Sequence, residues 1–264
     1  MDWNDLWRGR KYVVCGSGHG MGFATAKLLL ESGASVLVHA RTDESVQAAL
    51  EALRPAASSP DALQGIAANL SEPDSAARVA AAAYKAFGNL DGWVANTGGP
   101  PAGKALALTE DQWKLAFEGT FLSVVRMLHA ALPLLQPGSA FVSIQSRSVK
   151  EPIESLSSSN AVRAAATAFL RDAARELGPR GVRVLTVLPG IVGTDRLKSL
   201  TSFRAKEADV SEADIESAWA RETSLGRIAT PDELARVIAF ALSDAASYMT
   251  GTTILADGGA TRAG

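Results

Sequence analysis

"VVCGSGHGMG", residues 13–22, puts Gly16, Gly18, Gly20 and Gly22 directly behind an apolar run and ahead of an amphipathic one. Glycines at a strand-to-helix turn let the backbone bend tightly and approach a pyrophosphate. The first turn of the helix behind them offers unpaired N–H groups and a partial positive charge. Ser17, His19 and Met21 complete the loop. The context carries the reading, because glycines clustered elsewhere would mark no more than a turn.

The pattern on either side repeats. "KYVVC" (11–15), "SVLVHA" (35–40), "GIAANL" (65–70), "DGWVAN" (91–96), "AFVSI" (140–144), "VRVLTVL" (182–188) and "TTILAD" (252–257) are strand candidates, each continuously apolar as strands buried on both faces are. Helix candidates lie between them at 20–32, 43–53, 74–87, 109–135, 157–178 and 231–243. Pro231 behind Thr230, with Asp232 and Glu233 next, is a helix start. Strand and helix in alternation predict an α/β protein: one Rossmann-type domain over residues 1–264, a doubly wound parallel sheet of about seven strands with helices on both faces. The polar stretch at about 195–225 interrupts the alternation and reads as an inserted lid, with an ordinary surface excursion as the alternative.

Bulk properties exclude several classes. The 264 residues carry a formal charge of −2 with scattered cations, so no basic surface for nucleic acid is expected. Cys15, alone of its kind, reads as a small buried hydrophobe, and a reducing, cytoplasmic compartment fits. No run approaches 18 apolar residues, so no membrane partner is expected, and the start "MDWNDLWRGRK" lacks the regions of a signal peptide. Trp3 and Trp7 would pack this arm on the domain. No His/Cys/Asp grouping has metal-ligand spacing, so no metal is expected.

The spacing Gly16-xxx-Gly20-x-Gly22 resembles that of the short-chain dehydrogenase/reductase family. "VANTGG" is similar to the family's Asn-Asn-Ala-Gly element, matched at Ala95, Asn96, Thr97 and Gly98. "VLPGIVGT" resembles the loop in which Pro189, Gly190, Val192 and Thr194 would hold the nicotinamide end of the cofactor, and residues 225–259 resemble the family's closing helix and strand. The resemblance implies a dinucleotide-dependent oxidoreductase acting on a small-molecule substrate, and a homo-oligomer, tetramer or dimer. At the end of the second strand "HARTD" offers Arg41 and Thr42, which suit the 2′-phosphate of NADP(H). Asp43 leaves NAD(H) as the less favoured choice. His19 stands where NADP-preferring relatives often carry a second cation. Asn69, followed by Leu70, occupies the place of the family's Asp beside the adenine.

The same anchors fix the catalytic positions. The family uses a Ser, a Tyr thirteen residues on, a Lys four further, and an Asn on the preceding helix. This chain supplies Ser146, Ser159, Arg163 and Thr120. An aliphatic alcohol is too weak an acid to replace a phenol, and an arginine keeps its charge at working pH, so it can clamp ribose hydroxyls but not pass a proton. The helix from 157 is therefore expected to hold cofactor without moving protons. Lys150 is the best ionisable substitute in the neighbouring loop, with Glu151 and Glu154 behind it; each also reads as a solvated loop residue. His129 reads as structural. Two further classes stay open beside the oxidoreductase: an NADP-binding sensor or assembly partner without redox turnover, and a non-redox enzyme on the same scaffold.

Overall fold

The structure is a computed structural model, and residues 5–262 are described. Seven parallel strands, β1 (Lys11–Val14), β2 (Ser35–Ala40), β3 (Leu63–Ala67), β4 (Leu90–Asn96), β5 (Leu135–Ile144), β6 (Arg183–Pro189) and β7 (Thr253–Ala256), form one sheet in the order β3-β2-β1-β4-β5-β6-β7. The helices are α1 (Gly20–Glu31), α2 (Asp43–Leu53), α3 (Ser75–Phe87), α4 (Glu110–Ala116), α5 (Ser123–Ala131), α6 (Ser157–Leu177), α7 (Asp195–Ala208), α8 (Glu212–Glu222) and α9 (Pro231–Leu242).

Successive strand residues point to opposite faces. Val13, Trp93, Phe141 and Val184 face one core with Val124, Met127 and Leu170 from α5 and α6. Tyr12, Val14, Val94, Val142 and Leu185 face the other with Leu29, Leu30 and Ile238 from α1 and α9. Cys15 is buried in the first core, and burial pushes its thiol up. Trp7 is buried in the second and donates Nε1–H to Ala239 O at 3.0 Å; its companion Trp3 lies outside the described residues.

The expected doubly wound sheet is present, with two local corrections. The strand expected at 65–70 starts earlier and stops at Ala67, because a turn over Pro60–Ala62 feeds Leu63 into register with Val36; Asn69 and Leu70 lie beyond the strand end. The helix expected over 109–135 is interrupted by a π turn at Phe117–Leu122 and ends at Ala131, with Leu135 already paired to Leu90. Ser123 Oγ reaches back to Glu118 O at 2.9 Å, five residues earlier, while also lying 2.8 Å from Leu70 O. Such a π bulge re-aims the residues inside it. The polar segment is two capped helices, α7 and α8, around a buried contact of its own: Trp219 donates to Thr201 Oγ1 at 3.3 Å and carries the Arg204 guanidinium 4.2 Å above its ring. At α9 the Thr230–Glu233 capping box forms as the sequence indicates. Among the described residues no helix is long and apolar enough to cross a membrane, and no group of three His, Cys, Asp or Glu side chains could hold a metal.

Candidate functional site

Chain direction away from β1 reverses between β1 and β4, and this switch point opens a crevice at the strands' carboxyl ends. The glycine loop follows β1 there. Gly22 packs α1 against the loop so closely that a Cβ would run into the Gly16 carbonyl oxygen and lie 2.8 Å from Gly16 C and 3.0 Å from Ser17 Cα. Asn96 at the end of β4 donates Nδ2–H to Gly16 O at 3.1 Å, tying the two sides of the crevice together. The start of α1 stays open: His19 at the N-cap makes no capping bond and no acid stands in the first turn, whereas α2, α4, α7, α8 and α9 are each capped by a Ser or Thr. Beside it the Thr97 hydroxyl is buried with no partner among the described residues, and Gly98 borders open space. Free N–H groups, a positive helix end and a close backbone are what a pyrophosphate needs, so these residues fit a bound dinucleotide.

A residue the sequence reading passed over braces this loop. His39, buried on β2, accepts from Gly16 N–H through Nδ1 (3.1 Å) and lies 2.9 Å from Ala68 O through Nε2. Accepting at one nitrogen places the hydrogen on the other, so the ring is neutral. Burial lowers its pKa below the ordinary 6.5. The unfolded chain therefore takes up the proton first. The stability His39 contributes is complete above about pH 6.5 and is lost as pH falls from there toward the depressed folded value. His39→Ala should cost about 1–3 kcal/mol at pH 7 by orphaning both partners. It should also flatten the loss of thermal stability between pH 7 and 5. Melts across that range check this, and an unchanged slope in the variant would contradict it.

At the adenosine end Arg41 is exposed, with no hydrogen bond or ion pair among the described residues. Thr42 is occupied as the N-cap of α2, accepting from Ser45 N–H at 3.3 Å. Asn69 forms a turn, accepting from Ser71 N–H at 3.3 Å, and half-buried Leu70 packs against the core below β4 and α5. His19 reaches Asp195 at 3.8 Å, linking the glycine loop to α7.

The reactive end lies across β5 and α6. Ser146 stands two residues past the end of β5 and caps the turn Arg147–Val149; its Oγ accepts from Ser148 N–H at 3.1 Å, which leaves its own proton to give. Ser159 is buried, and its Oγ accepts from Arg163 Nε at 3.1 Å. The other hydrogen bonds of Arg163 go to the strand end: Nη1 donates to Gln145 O at 2.9 Å and lies 3.4 Å from Ile144 O and Gln145 Oε1. Nη2 has no hydrogen bond among the described residues. Burial and the nearby charge of Arg196 push Arg163 down to about 10, still protonated at neutral pH. Thr120 is buried inside the π turn. Asn160 staples the approach to α6 through Ile153 N–H (3.3 Å) and Ile153 O (2.9 Å). Lys150 and Glu154 are exposed, Glu151 accepts from Arg262 N–H at 2.7 Å, and His129 is exposed with its ring 6.5 Å from that of Phe169.

The loop after β6 closes the crevice. Gly190 packs on Asp257, where a Cβ would meet Cα at 2.5 Å. Val192 bridges to Ala229, and Thr194 caps α7 while its methyl faces Gly20. Pro189 ends β6.

A family model described as Enoyl-(Acyl carrier protein) reductase matches residues 16–261. The Short chain dehydrogenase/reductase astE of Aspergillus oryzae is 32% identical over 96% of this chain and 95% of its own. This chain belongs to the short-chain dehydrogenase/reductase family. An uncharacterized oxidoreductase of Methylorubrum extorquens is 31% identical over 95% of this chain and 97% of its own. Among solved structures, a short chain oxidoreductase from Pseudomonas aeruginosa PAO1, bound to NADPH and described as containing an atypical catalytic center, is 30% identical. It superposes with a TM-score of 0.87 over 97% of this chain and 98% of that one.

For a short-chain dehydrogenase/reductase, the site holds side chains that the sequence motifs did not signal. Arg147, one residue past Ser146, is buried and pairs with Glu222 of α8 at 2.6 Å, fastening the two-helix segment to the end of β5. Arg196 reaches from α7 to the loop after β4 and donates to Pro100 O at 2.9 Å. Its place two residues past the family's "VLPGIVGT" loop was the available signal.

Proposed function

We propose that this chain is an NADPH-dependent oxidoreductase of small carbonyl, alcohol or imine-like compounds whose proton does not come from residue 159. The observation that carries the reading is the contrast between an open helix start that fits a dinucleotide and an aliphatic hydroxyl at Ser159, held by Arg163, where the family has a phenol. NADPH in the Pseudomonas aeruginosa relative supports the cofactor. Here Arg41 would meet the 2′-phosphate, Ser17 to Met21 the pyrophosphate, and Asn96, Thr97, Gly98 and the Pro189–Thr194 loop the nicotinamide end. When bound, the reduced cofactor supplies the hydride.

The chain's own groups then divide the remaining work. Ser146 donates its hydroxyl to the substrate oxygen, polarising it where charge develops. Arg163 fixes the strand end that carries Ser146 and offers Nη2 to ribose hydroxyls or substrate. The proton is taken from water, because neither Ser159 nor Arg163 gives one up near neutral pH. Assembly as a dimer or tetramer belongs to the same reading through the family.

The test is NADPH absorbance with purified protein and a panel of small ketones, aldehydes and imines. Oxidation supports the reading. Tight NADPH binding with no turnover on any member would replace it with a cofactor-binding protein without redox turnover. Cofactor choice has its own check. Arg41→Ala should weaken NADPH binding by well over tenfold and NADH binding by less than twofold, as expected on losing a charge-assisted contact to the 2′-phosphate. Fluorescence titration of both nucleotides measures this, and equal weakening would refute the assignment.

A further inference from the structure

The acids around α7 and α8 are distributed unevenly. Glu222 pairs with Arg147 at 2.6 Å, Glu207 with Lys104 at 3.8 Å, and Glu154, Glu207 and Glu222 together surround Arg204. Two arginines facing the crevice receive none of them. Arg163 is buried and holds only neutral oxygens of Ser159, Gln145 and Ile144. Arg196 is half-buried and holds the carbonyl of Pro100. Neither makes an ion pair among the described residues, and their charges act on each other, burial and mutual repulsion both disfavouring the charged Arg163.

The two are near enough for the Arg196 charge to act on Arg163, and the loop after β4 touches the elements that carry both. Arg196 crosses from α7 onto Gly99, where a Cβ would lie 2.6 Å from its Cζ and 3.0 Å from Nη2, so glycine is what admits the guanidinium. The next residues of that loop rest on α6: Ser158 donates to Pro101 O at 2.6 Å, and Gly103 bridges to Leu156. Ser159 and Arg163 follow on the same helix. Nε and Nη1 of Arg196 and Nη2 of Arg163 make no hydrogen bond among the described residues, and Nη2 of Arg196 spends one of its two hydrogens on Pro100 O, so its other hydrogen can still pair with Nε or Nη1 as a parallel fork while one further donor stands free. Two like charges part-removed from water without a counter-ion are unfavourable together, and a ligand carboxylate would relieve both the desolvation and the repulsion.

We propose that Arg196, with Arg163 behind it, is a carboxylate-binding pair, and that the substrates of the oxidoreductase site are oxo acids rather than neutral ketones. This rests on the function proposed above. The carboxylate would lie in the Arg196 fork, whose two parallel donors match its geometry. The carbonyl would then be directed toward Ser146.

The same anion chemistry has a second source, the cofactor's own phosphates, and the experiment separates the two. Binding of 2-oxobutanoate, 3-oxobutanoate and 4-oxopentanoate, each beside its methyl ester, is measured calorimetrically on the protein saturated with NADPH. The readout needs no turnover, so it stands even where the chain proves catalytically silent. At least one acid should bind tenfold or more tighter than its ester. Arg196→Gln should abolish that preference while changing NADPH affinity less than threefold, and Arg196→Lys, which keeps the charge, should retain part of it. Equal binding of acid and ester throughout, or no binding of any acid, would overturn the proposal. So would an Arg196→Gln variant that keeps the preference but loses NADPH affinity tenfold, which would give the arginine to the cofactor phosphates.

Discussion

Gly22→Ala should give a protein that does not bind NADPH measurably, with affinity down at least a hundredfold, and that is destabilised by about 3 kcal/mol or more where it folds at all. The added methyl has nowhere to go. Its neighbours are the Gly16 carbonyl and the Ser17 backbone, not the ends of flexible side chains, so relief requires α1 to move away from the loop it completes. Separating them pulls the N–H groups of the first helical turn off the pyrophosphate position and loosens the β1 end that Asn96 and His39 hold. Gly98→Ala is the control. A Cβ there meets nothing within 4 Å, so the melting temperature should stay within about 2 °C of the parent. Melts and nucleotide titrations of the two variants check the contrast, and a Gly22→Ala protein with parental NADPH affinity would remove the glycine loop from the cofactor site.

Arg163→Ala should be the most damaging change on α6, and Ser159→Ala almost silent. Removing the guanidinium takes the donor from Gln145 O and leaves the β5 end beside Ser146 unbraced. An unpaired buried acceptor costs about 1–3 kcal/mol. NADPH affinity should fall at least tenfold and turnover at least a hundredfold. Arg163→Lys keeps a charge but cannot span Ser159 and Gln145 together, so it should recover binding more than rate. Ser159→Ala takes away an acceptor for Nε and a hydroxyl of negligible acidity. Less than a threefold change in either kcat or NADPH affinity is expected. A hundredfold loss of turnover in Ser159→Ala with binding intact would show that this serine moves the proton after all.

These expectations start from residues the sequence already identified. Alternating apolar strands and small-residue helices, with glycines at their first junction, gave the doubly wound sheet, because strand burial on both faces and a tight turn before a helix are encoded by neighbours in the chain. The resemblance to the short-chain dehydrogenase/reductase family, carried by the spacing from Gly16 onward, pointed to Ser146, Ser159 and Arg163 as the candidate positions. The π turn at Thr120 escaped that reading; beside it the Ser123 hydroxyl reaches Leu70 O on a distant loop, a contact that no local stretch encodes.

Read through the family resemblance, the sequence by itself placed residue types at the candidate site: a serine without a tyrosine after it, an arginine in place of a lysine, an arginine at the end of β2. What those charges do was decided by tertiary structure. Arg163 spends Nη1 on the end of β5 and Nε on Ser159, Arg147 takes Glu222 from 75 positions away, and Arg196 crosses 96 positions to Pro100 without an ion pair to an acid among the described residues. A charge's partner is whichever opposite group the fold brings within a few ångströms. That distance is absent from any local stretch of the chain.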